Sequence, residues 1–589
     1  MRLGLIDWFL VFFFFALALV IGVYVSRQAG KDSSSFFLSN RNMPWWLLGV
    51  SMVATTFSTD TPNLVTDIVR NNGVSGNWMW WAFLLTGMLT CFVYARMWRR
   101  SGVFTDLEFY EIRYSGKAAS AVRAFRAVYL GVFFNVMIMA LVTLAAIKIG
   151  AVILNLTPVQ TVTTAGVVVV VFSTLGGLPG VLLTDLILFV ISMVGAICAA
   201  WVTVNLPEVG GLDKLLSHPD VVGKLSFFPD FSNPEVAVAV FIIPIAVQWW
   251  SVWYPGAEPG GGGYIAQRML AAKNENHAMG AVLLFQFAHY ALRPWPWILV
   301  ALASLVVFPD LEALQAAFPH IDKQVIGDDL AYPAMLTYLP GGILGLVIAS
   351  LVCAYMSTMS TQLNWGSSYF VYDFYKRLIR PDATERELVF VGRIATVALM
   401  FTACVMALFL ETAMQAFQIL LSIGAGTGLL FLLRWFWWRI NAYSEIAAMI
   451  ISFLVALGFH LADLPDWAYW EKLVVGIIVT TLGWLLVTFI TPQTEPAVLR
   501  RFFRLIQPQG AGWRKVVEEA RADGEVIESA TVGHNLTGEI QSFFIACVCG
   551  YSLLFLIGSL VYGNYLTALL LSAIVALTAL KLLRNWKLN

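Results

Sequence analysis

Two polar stretches interrupt an otherwise apolar chain, and both carry oxygens in a pattern suited to a hard cation. The first is Ala54-Thr55-Thr56-Phe57-Ser58-Thr59-Asp60-Thr61-Pro62-Asn63. It sits inside an apolar run from Met43 to Val69 and brings an acid, several hydroxyls and a proline. An ionisable side chain at membrane depth costs about 3 kcal/mol or more, so it marks a functional site by default. Pro62 removes a backbone donor and frees a carbonyl one turn earlier. The stretch therefore predicts a helix that breaks, with bare carbonyls, where it lines a cavity or holds a ligand. The second stretch is Ala354-Tyr355-Met356-Ser357-Thr358-Met359-Ser360-Thr361-Gln362-Leu363-Asn364. At helical spacing Ser357, Ser360, Thr361 and Asn364 share one face, with Thr358 beside Ala354 and Thr361. Such a cluster could simply bond a neighbouring helix. It could also add hydroxyl oxygens to the carbonyls of the break and so hold Na+.

Further polar groups lie within apolar segments. Asp185, in Leu182-Leu183-Thr184-Asp185-Leu186, is either a coupling acid or a helix-start acid favoured by the dipole. Arg293, in Tyr290-Ala-Leu-Arg-Pro-Trp-Pro-Trp297, calls for a carboxylate: Asp60, Glu258 or an anionic solute. The run Trp249-Trp250-Ser251-Val252-Trp253-Tyr254-Pro255-Gly256-Ala257-Glu258-Pro259, followed by Gly260 to Gly263, predicts a second interrupted helix. Paired interruptions in corresponding halves of a chain point to a transporter's midplane site. The glycine run is not a phosphate loop, since no Lys-Ser/Thr follows it. Groups placed to meet a solute are Asn63 at the first break, Trp253, Tyr254 and Glu258 at the second, and Arg293. The Trp and Tyr rings could form an aromatic wall or interfacial anchors.

The elements that must position these groups are membrane helices. The chain has 589 residues, 59% hydrophobic and 12% charged. Soluble domains carry about twice that charge fraction. The net charge of zero implies nothing about nucleic-acid or acidic partners, and no nucleic-acid partner is expected. The six cysteines all fall in apolar runs without disulfide or zinc spacing, so they read as small buried hydrophobes. No nucleophile, base and metal-ligand set converges, so an enzyme is not expected.

At roughly 20 apolar residues per helix, about fifteen spans are expected, near 6–26, 43–69, 78–97, 124–152, 158–174, 179–205, 236–255, 277–308, 341–370, 388–410, 413–438, 442–462, 472–490, 541–561 and 564–583. The first follows a single arginine and reads as a retained span rather than a signal peptide. Alternate loops are basic, with Arg96, Arg99, Arg100, Arg113, Lys117, Arg123, Arg268, Lys273, Lys376, Arg377, Arg434 and Arg439 on one side. The positive-inside rule then makes that side cytoplasmic, the N-terminus external and the C-terminus internal. The expected organisation is 1–42 as N-terminal span and loop, 43–205 and 236–440 as two repeats, 441–491 as additional spans, 492–540 as a cytoplasmic linker and 541–589 as a terminal helical pair. The basic half of 492–540 reads as an anionic-lipid face.

Four motifs resemble the sodium/solute symporter family, which includes sodium/proline and sodium/glucose symporters. They are Phe37-Leu-Ser-Asn-Arg-Asn-Met-Pro-Trp45 running into Ser58-Thr-Asp60; Phe172-Ser-Thr-Leu-Gly-Gly-Leu-Pro-Gly180 running into Asp185; Tyr264-Ile-Ala-Gln267-Arg268-Met-Leu-Ala-Ala-Lys273; and Leu339-Pro-Gly-Gly342 through Ala354-Tyr-Met-Ser357-Thr358, then Tyr372-Asp373-Phe-Tyr375-Lys376. The resemblance implies an all-α polytopic membrane protein of LeuT type: an inverted five-plus-five helix repeat with extra N- and C-terminal helices. It implies a sodium position built from carbonyls of Ser58, Thr61 and Ala354 and side chains of Ser357 and Thr358, with Asp60 and Asp185 as second-cation or coupling acids. Leu64 and Val65 stand where sugar-type members have acid or amide groups, Leu188 stands where a Gln is expected, and the segment from Glu258 departs from the common pattern.

The function this implies is symport of a small polar organic solute (an amino acid, organic acid or sugar) with Na+ by alternating access across the plasma membrane. The expected partners are the solute, Na+ and the bilayer, with no organic cofactor. The alternatives are a proton-coupled carrier, with Asp60 or Asp185 titrating, and a transporter-like sensor with 492–540 as its output linker.

Overall fold

The computed structural model describes residues 3–29, 38–56, 58–173, 178–252, 259–323, 325–410, 412–462, 467–528 and 536–585. Its regular elements there are helices, apart from one isolated bridge pairing Met43 with Ala272.

A peripheral helix α1 (Leu5–Ala29) precedes the interrupted pair α2 (Trp45–Thr56) and α3 (Asp60–Asn72). Then come α4 (Val74–Ser101), α5 (Gly116–Leu154), α6 (Pro158–Ser173) and α7 (Leu178–Val204). A loop with short helical turns leads to α8 (Pro234–Ala246), α9 (Gly263–Ala271), α10 (Glu275–Val307) and α11 (Ile343–Ile379). The remaining helices are α12 (Glu385–Ala407), α13 (Ala413–Leu433), α14 (Ala442–Leu461) and α15 (Tyr469–Ile490), two amphipathic helices α16 (Pro496–Ile506) and α17 (Arg514–Ala522), and the terminal pair α18 (Leu536–Val561) and α19 (Tyr565–Asn585).

Among the described residues, ten helices are long and apolar enough to cross a bilayer, and four shorter apolar ones, including α2 and α8, add to them. The expected count of about fifteen spans is not established by these lengths. The interruptions divide apolar segments into pieces too short to cross alone, while other helices run beyond their apolar cores, as α4 and α5 do. Leu566, Leu569, Leu570 and Leu577 of α19 are exposed, as lipid-facing side chains are.

Helices α2, α7 and α11 pack on one another at the centre, and α1 lies across α7 and α11. The start of α2 is tied to the end of α9: Met43 N–H donates to Ala271 O (3.1 Å), and Lys273 N–H donates to Met43 O (3.1 Å). Helix α8 ends at Ala246, earlier than the expected break near Pro255, and Val252 N–H donates to Gly424 O on α13 at 3.3 Å. In α10 the backbone widens at Phe287–Leu292, just before Pro294, whose missing N–H cannot continue the ladder.

Several arginines counted as loop charges are interior. Arg113 and Arg268 are 0% exposed and Arg434 is 2% exposed. Arg113 donates to the carbonyls of Arg434 and Trp437, capping the C-terminal end of α13, and Arg434 faces Glu445 at 3.4 Å. These residues sit close to helix ends, where hydropathy alone cannot separate a loop charge from a buried cap.

Segment 492–528 folds onto the body. Leu499, Phe502, Phe503, Ile506 and Trp513 are buried, and Trp513 Nε1 donates to Trp435 O at 2.8 Å. Its basic residues meet acids of the same segment: Arg500 with Asp523 and Glu525, Arg504 with Glu525, and Arg514 with Glu518. The basic face expected to meet anionic lipid therefore carries acids as well.

Candidate functional site

The site grows from the C-terminal turn of α2. A helix end leaves its last carbonyls without intrahelical donors. Here the interruption places such an end among buried helices, where an unpaired carbonyl is costly. Side chains supply the donors. Thr56 Oγ1 lies 3.2 Å from Met52 O and 2.9 Å from Val53 O. Arg293 Nη1 donates to Val53 O at 3.3 Å. Thr358 Oγ1 donates to Thr55 O at 2.9 Å, and Thr61 Oγ1 donates to Thr56 O at 3.4 Å. Helix α3 then restarts at Asp60, with its acid in the first turn and Pro62 where an N–H is not yet needed.

Beside this turn Asp185 forms a second centre. It lies well inside α7, not at its start, so it is not a helix-start acid. Its Oδ2 accepts from Ser51 Oγ at 2.5 Å and its Oδ1 accepts from Ser357 Oγ. The Arg268 guanidinium stands 3.7 Å away and donates to Ser51 Oγ (2.9 Å) and Thr55 Oγ1 (3.1 Å). Four elements, α2, α7, α9 and α11, thus meet through one network.

Of the expected ion-site residues, Ser58, Ala354, Ser357 and Thr358 are buried and Thr61 is half-buried. The carbonyl that meets Thr358 belongs to Thr55, three residues before Ser58 and six before Thr61. The Ser58 hydroxyl, Asp60 Oδ1, both polar atoms of the Asn63 amide and the Thr361 hydroxyl are buried without a hydrogen-bond partner among the described residues. Arg293 is fully buried, with its guanidinium 5.1 Å from the centre of the Trp297 ring. It donates to Val53 O and to Thr56 Oγ1 (3.3 Å) at the helix end, and its charge also acts on Asp60, one of the carboxylates expected for it. Trp253, Tyr254 and Glu258 lie outside the described residues.

Three members of the network went unread as site residues: Ser51, Thr55 and Arg268. Ser51, Thr55 and Ser58 fall at i, i+4 and i+7, one stripe of a helix, and that spacing was the available signal. His289 joins from α10, with Nδ1 3.2 Å from Thr56 Oγ1 and its ring against Trp80 and Tyr290.

A sodium:solute symporter family profile matches residues 36–452. The sodium/glucose cotransporter of Vibrio parahaemolyticus is 26% identical over 485 residues, covering 79% of this chain and 87% of that protein. The sodium/myo-inositol cotransporter of Mus musculus is 28% identical over 501 residues, covering 76% and 66%. In fold, the chain is similar to a substrate-bound, outward-open Na+-coupled sialic acid symporter, with a TM-score of 0.67 and 19% identity over 84% of this chain and 99% of that one. That neighbour has the LeuT-like fold expected from the motifs. Membership decides between the ions in favour of Na+ over the proton, and between transporter and sensor in favour of transporter. The chain belongs to the sodium:solute symporter family, and it is a multi-pass membrane transporter whose co-transported ion is Na+.

Proposed function

We propose that this symporter imports a small polar organic solute by alternating access, with the solute held over the break between α2 and α3. The observation that carries the reading is the set of buried, unpartnered polar atoms at Ser58, Asp60 and Asn63. A buried polar group without a partner costs about 1–3 kcal/mol, and a bound solute or ion would remove that cost. An amide that both donates and accepts suits a hydroxyl-rich solute, in keeping with relatives named for glucose and myo-inositol. Trp253, Tyr254 and Glu258 are assigned to the solute from the second interruption, and Arg293 acts beside them by holding the α2 end.

Sodium is assigned to the junction of α2 and α11, with Ser357 and Thr358 hydroxyls, the Ala354 carbonyl and carbonyls of the break from Ser58 and Thr61. The Thr55–Thr358 contact supports adding Thr55 to that set. Asp60 and Asp185 are the second-cation or coupling acids. The finer organisation follows the same reading: inverted repeats at 43–205 and 236–440, extra helices around them, a plasma-membrane location and an external N-terminus. The test is uptake by proteoliposomes of a panel of labelled sugars, polyols, amino acids and organic acids, with Na+ or K+ outside. Na+-dependent uptake of a polyhydroxylated solute is the expected result. Uptake confined to amino acids would overturn the solute assignment.

A further inference from the structure

The peripheral helix α1 carries one buried acid, Asp7, 1% exposed. Its carboxylate serves two helix starts. Oδ2 accepts from Gly4 N–H at 2.8 Å, at the beginning of α1. Oδ1 accepts from Gly342 N–H and Gly345 N–H, both at 2.7 Å, at the beginning of α11. Carboxylates are favoured at helix N-termini because they meet free N–H groups and the positive end of the dipole. The approach is close by construction: a Cβ on Gly345 would lie 2.3 Å from Asp7 Cα. Two turns further along α1, Phe14 packs against Leu188 of α7 and Cys353 of α11. Leu188 is one turn past Asp185, and Cys353 is one turn before Ser357. The two helices α1 spans are therefore the two joined by the Asp185–Ser357 hydrogen bond. Where α7 and α11 cross, Gly195 leaves room for Ser350, which a Cβ there would meet at 2.6 Å from its Oγ.

We propose that α1 is a strap: Asp7 fixes the axial position of α11, Phe14 clamps α11 to α7, and together they hold Ser357 and Thr358 in register with Asp185 and Thr55. Asp7 is a positioning residue, since it acts on the ion through α11 and does not touch it. The inference rests on the assignment of sodium to Ser357 and Thr358.

Equilibrium binding of 22Na+ to purified full-length protein, against a K+ background, tests it. Asp7→Ala should weaken Na+ binding by about tenfold, within the usual range of coupling between separate sites. Asp7→Asn, which keeps the Oδ1 acceptor, should weaken it less. Phe14→Ala should act in the same direction, while Phe9→Ala, on the exposed side of α1 (67% exposed), should not. The effects of Asp7→Ala and Ser357→Ala should be less than additive, because one works through the other. Folded Asp7→Ala protein with unchanged Na+ affinity, or full additivity with Ser357→Ala, overturns the strap. If Asp7→Ala does not fold, Asp7→Asn and Phe14→Ala carry the comparison, and unchanged affinity in both is equally fatal. Wild-type protein that binds 22Na+ with an affinity indifferent to Ser357→Ala and Thr358→Ala would instead sink the sodium assignment itself.

Discussion

Lys148 and Asp329 form an ion pair sealed from solvent: Nζ lies 2.6 and 2.7 Å from the two carboxylate oxygens, and the side chains are 0% and 1% exposed. The pair joins α5 to the helical turn Asp328–Leu330, which precedes α11. Next to it Arg70 of α3 reaches Asp328 at 2.7 Å and donates to Phe308 O at 2.8 Å, at the end of α10. The far end of the interrupted helix is thereby tied to the segment between α10 and α11. Removing one partner of a buried pair leaves a bare charge, which costs about 3–5 kcal/mol, whereas replacing both with apolar groups is often neutral. Lys148→Met should lower the thermal midpoint of the purified protein sharply, and Lys148→Met with Asp329→Leu should recover most of the loss. Equal midpoints for the single and double variants would contradict the pairing.

At the ion junction, Thr358→Ala removes both the donor to Thr55 O and a proposed ligand oxygen. The Na+ concentration for half-maximal uptake should rise at least about tenfold, a cost of ~1.4 kcal/mol. Thr358→Ser, which keeps the hydroxyl, should stay near wild type. Initial uptake rates over a Na+ series in proteoliposomes measure both.

Arg293 holds a helix end, which gives its variants a distinct signature. Arg293→Lys keeps the charge but loses the planar fork that reaches Val53 O and Thr56 Oγ1 together. Uptake should fall by an order of magnitude or more in Arg293→Lys and further in Arg293→Gln, with Na+ affinity and solute KM both affected because both lean on the same turn. An effect on solute KM alone would point instead to direct solute contact.

Gly428 of α13 faces the chain after α8, and a Cβ there would fall 1.6 Å from Trp250 O, a backbone atom that cannot rotate away. Gly428→Ala should therefore displace the second interruption, destabilising the protein by about 1–3 kcal/mol, as overpacked cores do. Loss of uptake with a lowered thermal midpoint is the expected pair of results. Wild-type behaviour would mean that α13 and the α8 end part more freely than this packing implies.

How much of this was legible beforehand depended on how local the signal was. The break between α2 and α3 was plain, because Pro62 and the polar run lie within one stretch. The hydroxyl face of α11 was plain for the same reason, as its residues recur at helical spacing. Arg268 was misread as a loop charge: it sits in a short helix among basic neighbours, and it is Asp185, Ser51 and Thr55, remote in sequence, that mark it as interior. Asp7 gave no signal at all, because its partners are backbone N–H groups of Gly342 and Gly345, which no side-chain pattern announces. The basic half of 492–540 was visible, but the docking surface of 496–506 at Phe109 and Trp435 comes from distant parts of the chain.

The contact between Thr358 and Thr55 has a chemical corollary. Its two oxygens already lie 2.9 Å apart with a hydrogen between them. For both to turn toward an ion, the hydroxyl has only to swing its hydrogen aside, a rotation about a single bond. Neither a hydroxyl nor a carbonyl changes protonation state near neutral pH. Charging this junction should therefore leave an unbuffered solution at constant acidity, and any acid released on Na+ binding would come from a titratable group outside this contact.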